Sequence, residues 1–166
     1  APSWPDGENP SSFISSCRRV IEEVGEYCNV LVRWHPFLQE IYPAEVEQIR
    51  GKYADQKNVV LLDDFPCIYP ILQITDGYIG DFSSVGYDFL AFDKPLFFLD
   101  GQIGKIYECG IKLSPENHFG RMISSHEDAL SGKRKQTYDY VFGKERNSSE
   151  ILSEIKKALS IDRAFV

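Results

Sequence analysis

The chain is poor in the residues that most readily advertise chemistry. It holds 3 histidines, 4 cysteines, 2 tryptophans and 1 methionine in 166 residues. Cys17, Cys28, Cys67 and Cys109 are widely spaced and form no CxxC pair, which argues against a structural zinc site and a disulfide scaffold. Three of them stand in apolar contexts, so reduced, buried, cytosolic thiols are expected. Positive charge is also scarce: 18 Lys and Arg against 25 Asp and Glu leave a net charge of −7 and a pI of about 5.0. No basic face is advertised, so extended nucleic-acid binding is not expected. No apolar run approaches the roughly 20 residues that cross a bilayer, and no signal peptide is visible. Internal repeats, low-complexity tracts and linkers are missing too, which fits one domain over residues 1–166, or one lobe of a larger protein.

What is present suits a packed α/β domain. Hydrophobic residues make up 43% and aromatics 13% of the chain, enough for a core and contrary to disorder. The spacing of Phe13, Cys17, Val20, Ile21, Val24 and Cys28 predicts a helix over 9–28, with Asn9 as cap and Pro10 at its first position. Strands are predicted at Val30–Arg33 and Val59–Leu62, and helices at Pro43–Lys52 and Pro66–Ile74. Weaker strands are predicted at 111–113 and 121–123. Closing helices are predicted at 126–142 and 148–159, the second capped by Ser148 or Ser149, with Ile151, Leu152, Ile155 and Leu159 on one face. Such alternation implies a mainly parallel sheet covered by helices on both faces.

The most informative stretch is 76–100, DGYIGDFSSVGYDFLAFDKPLFFLD. Strand residues Tyr78 and Ile79 enter the turn Gly80-Asp81-Phe82-Ser83-Ser84. An apolar helix follows, then a second strand at 95–99. Hydroxyls and free backbone donors thereby gather at a helix start, an arrangement suited to an anion such as a nucleotide diphosphate. Open parallel sheets bind ligands beyond the carboxyl ends of their strands. Polar residues sit at those ends here: Arg33-Trp34-His35-Pro36, Asp63-Asp64, Asp81 to Ser84, and Asp100.

Each candidate also has a plainer reading. Ser83 and Ser84 suit a simple helix cap, but the strand-turn-helix context favours phosphate binding. His35 is either a strand-end histidine without chemistry or, beside Arg33, a site residue. Asp88, one turn into the helix, is either solvated or an acceptor for sugar hydroxyls. Asp63, Asp64, Asp81 and Asp100 come from separate strands, so strand-end turns are preferred to a hard-metal site. Lys133-Arg134-Lys135 reads as a solvated helix start. No metal and no cofactor are expected.

LVRWHP at 31–36, VVLLDD at 59–64 and ITDGYIGDFSSVGYDFLAFDKPLFFLD at 74–100 resemble the C-terminal half of the CDP-glycerol glycerophosphotransferases, the teichoic-acid polymerases and primases. Their signature is close to LITDYSSVxFDxxxxxKPxxFxxxD. Ala1-Pro2-Ser3-Trp4 resembles their APTW segment, and the KRKQTYDYVFG tail with its final amphipathic helix also suits the family. The resemblance covers nearly the whole chain. It implies a Rossmann-like fold similar to the C-terminal, donor-binding lobe of a GT-B enzyme. It implies that Ser83, Ser84 and Asp88 contact a CDP-glycerol donor, and that Arg33, Trp34 and His35 line its phosphates, His35 being a catalytic or phosphate-binding candidate. Ser3 and Trp4 would lie near the nucleotide. The implied reaction passes glycerol phosphate to an acceptor hydroxyl and releases CMP. A cytoplasmic enzyme at the inner face of the membrane, with a membrane-associated acceptor reached through an N-terminal lobe, is implied as well.

This sequence departs from the family pattern in places. Phe82 replaces a tyrosine, Ser3 a threonine, and Pro5 a frequent arginine. The first strand of the lobe and the whole N-terminal lobe, with its own histidine, are expected to be missing, leaving a gap or exposed edge in the sheet. An isolated chain of this kind is expected to bind nucleotide weakly and not to turn over. Two alternatives stay open: the lobe of another GT-B enzyme, such as a sugar-nucleotide glycosyltransferase or a UDP-GlcNAc 2-epimerase relative, and a nucleotide-binding domain that does not catalyse.

Overall fold

The structure, a computed structural model, describes residues 1–3, 5, 11–62, 67–81, 83–99, 105–143 and 147–162. Helix α1 (Phe13–Gly25) buries Phe13, Cys17, Ile21 and Val24 along one stripe, as the spacing predicts. It is shorter than 9–28. Ser12 stands at its start, and the expected cap at Asn9 and Pro10 lies outside the described residues. Strand β1 (Val30–Val32) leads to helix α2 (Pro36–Ile41) and then to α3 (Pro43–Tyr53). Pro36 and Pro43 each occupy the first turn of a helix, where a missing N–H costs nothing. Strand β2 (Val59–Leu61), α4 (Tyr69–Ile74), β3 (Tyr78–Gly80) and α5 (Ser84–Phe89) follow. A 3-10 turn at Leu90–Phe92 closes α5. Strand β4 (Leu96–Phe98), a second 3-10 segment (Lys105–Cys109) and β5 (Ile111–Lys112) then complete the strands among the described residues.

Among the described residues all strand pairings are parallel, but the hydrogen-bonded strands form two sheets, β1-β2 and β3-β4-β5. The fold is Rossmann-like α/β, with its sheet divided between β1 and β3. A cavity of about 970 Å³ occupies the division, lined on one side by residues around β1 and on the other by residues around β3. In β4, at the centre of the three-stranded sheet, Leu96, Phe97 and Phe98 are all buried, as expected of a strand covered on both faces.

Helix α1 ties the two sheets together. Its start lies beside Asp81 at the carboxyl end of β3, where Ser12 N–H donates to Asp81 Oδ2 at 3.1 Å. Phe13 also packs edge-on against Trp34, just past the carboxyl end of β1, with ring centroids 6.0 Å apart. The other end of α1 reaches the amino ends of β1 and β2, where Asn58 Nδ2 donates to Gly25 O at 2.7 Å. Both sheets therefore turn their carboxyl ends toward the same edge.

The C-terminal third departs from the sequence-based expectation. Residues 121–123 belong to helix α6 (Phe119–Ser124), not to a strand. His118 Nδ1 accepts from Arg121 N–H, and Glu23 Oε2 accepts from Phe119 N–H, so two of the free donors at this helix start are satisfied. Gly120 lets α6 sit directly on α1: a Cβ there would come 1.9 Å from Glu23 O. Helix α7 (Ser131–Phe142) begins five residues later than 126. The Lys133-Arg134-Lys135 run is not simply solvated, because Arg134 is 1% exposed while its two neighbours face water. Helix α8 (Ser148–Asp162) is capped by Asn147 rather than by either serine. Asn147 Oδ1 accepts from Glu150 N–H at 2.9 Å, and Glu150 Oε2 accepts in return from Asn147 N–H at 3.2 Å. Its apolar face, Ile151, Leu152, Ile155 and Leu159, is exposed. Cys17 and Cys109 are buried thiols outside any disulfide, but Cys28 and Cys67 are exposed, whereas three of the four stand in apolar contexts in the sequence.

Candidate functional site at the carboxyl edge

The site is organised by the period-two pattern of β3. Tyr78 and Gly80 face the same side of the strand. With no side chain at Gly80, the Tyr78 ring lies along the strand toward Ser83; a Cβ at Gly80 would come 2.3 Å from the phenol oxygen and 2.8 Å from Ala1 O. Tyr78 Oη and Ser83 Oγ are 3.2 Å apart and share a hydrogen bond. Burial pushes the Tyr78 phenol well above its ordinary pKa, so it stays neutral. Ser83 precedes α5 in extended conformation, and its hydroxyl makes no capping bond to the helix. Ser84, the first residue of α5, is exposed. The Ser83 hydroxyl is thus not consumed by the helix start. Helix α5 has 6 residues, so the serine groups have little aligned dipole behind them.

Asp81 holds the opening of the chain against this turn. It is 3% exposed, and its Oδ2 accepts from Ser3 N–H at 2.9 Å and from Ser12 N–H at 3.1 Å. This is the strand-end role preferred for it over metal binding. Ser11 Oγ donates to Ser3 O, closing a second tie within the same segment. Ser3 therefore does lie at the β3 edge, beside the 81–84 turn. Trp4 lies outside the described residues, as do Asp63, Asp64, Phe82 and Asp100.

At the end of β1 the candidates divide. Arg33 lines the central cavity together with Ser12, and its Nη1 is buried without a hydrogen-bond partner. A buried unpaired guanidinium nitrogen is costly, and an anion at this edge would satisfy it. Trp34 does not line the site: it is 6% exposed and packed in the core with Phe13, Leu38 and Ile49. Strand alternation turns it to the face opposite Arg33. His35 is exposed, and its Nδ1 accepts from Phe37 N–H at 3.2 Å as the cap of α2. That bond leaves Nε2 as the protonated nitrogen of the neutral ring. Asp88 is half-buried on α5. Burial raises its carboxyl pKa, partly offset by a hydrogen bond with Tyr69.

The edge thus assembles Ser3, Arg33, His35, Ser83 and Ser84 at one end of a divided sheet, with Asp88 a turn behind. Tyr78, Ser12 and Tyr69 were not candidates in the sequence reading. The Tyr-x-Gly spacing of 78–80 was the one signal that could have marked Tyr78. Lys94, within the KP pair, serves the fold: its Nζ donates to Gln73 O at 2.7 Å and Thr75 O at 2.6 Å, closing the end of α4.

Fold and edge define a parallel Rossmann-like protein whose polar groups collect where such sheets hold their ligands. The sequence profile of the CDP-Glycerol:Poly(glycerophosphate) glycerophosphotransferase family matches residues 1–108, and the chain belongs to that family of transferases. No curated protein and no solved structure matches it.

Proposed function

We propose that this chain is the donor-nucleotide-binding lobe of a glycerophosphotransferase-like enzyme. The carrying observation is that the family match spans every candidate residue, while the fold brings Arg33 and Ser83 to one edge. In this reading the diphosphate of CDP-glycerol rests on the Ser83 and Ser84 hydroxyls and amides, and Arg33 supplies the positive charge. Asp88 accepts from the glycerol or ribose hydroxyls. Glycerol phosphate passes to an acceptor hydroxyl held by a further lobe, and CMP leaves. Positioning and charge neutralisation supply most of the rate, as in phosphoryl transfer generally. Alone, the lobe binds donor and does not turn over. Trp34 is left out of the site, and His35 acts through Nε2, with Nδ1 engaged as the cap of α2.

The test is a calorimetric titration of the chain with CDP-glycerol, CDP-ribitol, CMP and a UDP-sugar. CDP-glycerol is expected to bind most tightly. Changing Ser83 and Ser84 together to Ala is expected to weaken it at least tenfold, since a hydrogen bond to a charged group is worth about 1.5–3 kcal/mol. Equal affinity in the double variant removes the serines from the site, and preference for the UDP-sugar moves the lobe to a sugar-nucleotide enzyme. In the two-lobe enzyme, His35→Ala is expected to lower kcat more than it raises KM if the ring touches the reacting phosphate.

A further inference from the structure

We propose that Tyr78 is the positioning residue of the donor site: it donates its phenol hydrogen to Ser83 Oγ and so commits the serine's own O–H to an acceptor at the edge, a phosphate oxygen of the bound nucleotide. The inference rests on the reading of Ser83 as a donor-binding residue and adds one that acts only through it. Hydrogen-bond bookkeeping sets the direction. Tyr78 is 4% exposed, in the cluster of Leu72, Phe89, Leu96 and Phe98. Burial keeps its phenol protonated, so it carries a hydrogen that needs an acceptor. Ser83 Oγ, at 3.2 Å, is the acceptor that the described residues offer it. Were the serine to donate instead, the phenol hydrogen would be left buried and unpaired, which is the costlier arrangement. Helix α5 makes no use of the serine hydroxyl, because Gly86 N–H donates to the Ser83 carbonyl at 3.1 Å. With Tyr78 on one lone pair, the hydrogen of the half-buried Ser83 hydroxyl turns to the edge. A ligand oxygen that accepts it completes a chain of phenol, alcohol and phosphate in which each bond polarises the next.

The phenol is fixed by what surrounds it. Its ring lies 5.7 Å from that of Phe89, and a Cβ on Gly86 would come 3.7 Å from Tyr78 Cε1, so α5 covers it. Gly80 supplies the room, since a Cβ there would stand 2.3 Å from Oη and 2.6 Å from Cζ. A donor held this way before the ligand arrives needs no ordering on binding. The signature LITDYSS has Leu, Thr and Tyr where this chain has Tyr78, Gly80 and Phe82. The three departures read as one exchange: a phenol is absent at 82 and present at 78, and the side chain that would block it at 80 is gone. The 6 residues of α5 add little dipole, so the direction of the Ser83 O–H matters more here than at a long helix.

The experiment is a double-mutant cycle on the 166-residue chain, with Tyr78→Phe, Ser83→Ala and the two together. Tyr78→Phe removes one oxygen and keeps the ring against Phe89. Calorimetry reads Kd for CDP-glycerol and, separately, for inorganic pyrophosphate. Tyr78→Phe is expected to weaken both about fivefold when Ser83 is present and to change neither in the Ser83→Ala background. Equal losses in the two backgrounds, or no loss in either, overturn the proposal, because the phenol then does not act through Ser83. A second arm needs no ligand and no change at Tyr78. Raman difference spectra between wild type and Ser83→Ala isolate, among the 9 tyrosines, the phenol that touches Ser83. Its doublet intensities distinguish a donating phenol from an accepting one. Loss of a donor bond on Ser83→Ala is expected, and loss of an acceptor bond overturns the proposal. The donor reading fails separately: pyrophosphate binding with the cycle intact, but no binding of CDP-glycerol, removes the nucleotide and leaves Tyr78 in its role. A wild-type chain that binds neither ligand overturns both.

Discussion

Replacing Arg134 with Met removes a guanidinium that joins three parts of the chain. Arg134 is 1% exposed, and its Nε donates to Asp93 Oδ1 at 2.8 Å. Nη1 and Nη2 hold Asp128 Oδ1 and Oδ2 at 2.8 and 2.6 Å, and Nη2 also reaches Asp93 O at 3.2 Å. Asp93 has φ of +47°, a left-handed conformation that costs a non-glycine residue energy and that these bonds hold in place. Removing one partner of a buried pair costs about 3–5 kcal/mol. Here the carboxylates are 51% and 29% exposed and can rehydrate. The cost therefore falls below that range, at about 2–3 kcal/mol, or a Tm lower by roughly 5–10 °C for a chain of this size. Urea unfolding of Arg134→Met and Arg134→Lys measures it, and lysine, lacking the planar fork, is expected to restore less than half. The acid limb gives an independent readout. The guanidinium beside Asp128 holds its carboxyl below the ordinary range. That contribution is fully present above the unfolded-state value near 3.9 and is lost as pH falls through the lower folded value. The wild type is therefore expected to lose stability more steeply below about pH 4 than Arg134→Met. A variant within about 0.5 kcal/mol of wild type, with the same acid limb, refutes the reasoning and returns Arg134 to the surface.

Three further outcomes follow from the packing. Trp34→Ala is expected to cost about 3–5 kcal/mol in chemical denaturation while the surviving folded fraction keeps its donor affinity; lost affinity with intact stability would put Trp34 back in the site. Gly120→Ala is expected to destabilise by about 2 kcal/mol or more, because a Cβ there meets backbone at Glu23 rather than a movable side chain. With a maleimide under native conditions, Cys28 and Cys67 are expected to react and Cys17 and Cys109 to resist. Burial pushes the Cys17 thiol up to about 11, so it also lacks thiolate; rapid labelling of all four would contradict the burial pattern.

Much of this protein is written locally. The helical spacing of α1, the β-branched and aromatic runs of β1 to β4, and the turn at 80–84 follow from side-chain period and turn chemistry, which neighbours in sequence impose. Those features were enough to place Arg33, His35, Ser83 and Ser84 at strand ends, and the order of the elements sent those ends to one edge. Other features depended on contacts across tens of residues. Residues 121–123 have a short apolar pattern that fits strand or helix; Glu23 and the close approach at Gly120 select helix. Trp34 and Arg33 are adjacent in sequence, and only the packing of Phe13 against the indole shows which of the two enters the core. Arg134 sits in a basic run that looks solvated until Asp93 and Asp128 converge on it. The division of the sheet is also tertiary: strands are read from one segment at a time, but whether two edges meet depends on what stands between them. Local chemistry thus determined which elements form. The three-dimensional arrangement decided which polar groups are satisfied by the fold and which remain open to a ligand, because hydrogen-bond partners and burial belong to pairs of distant residues.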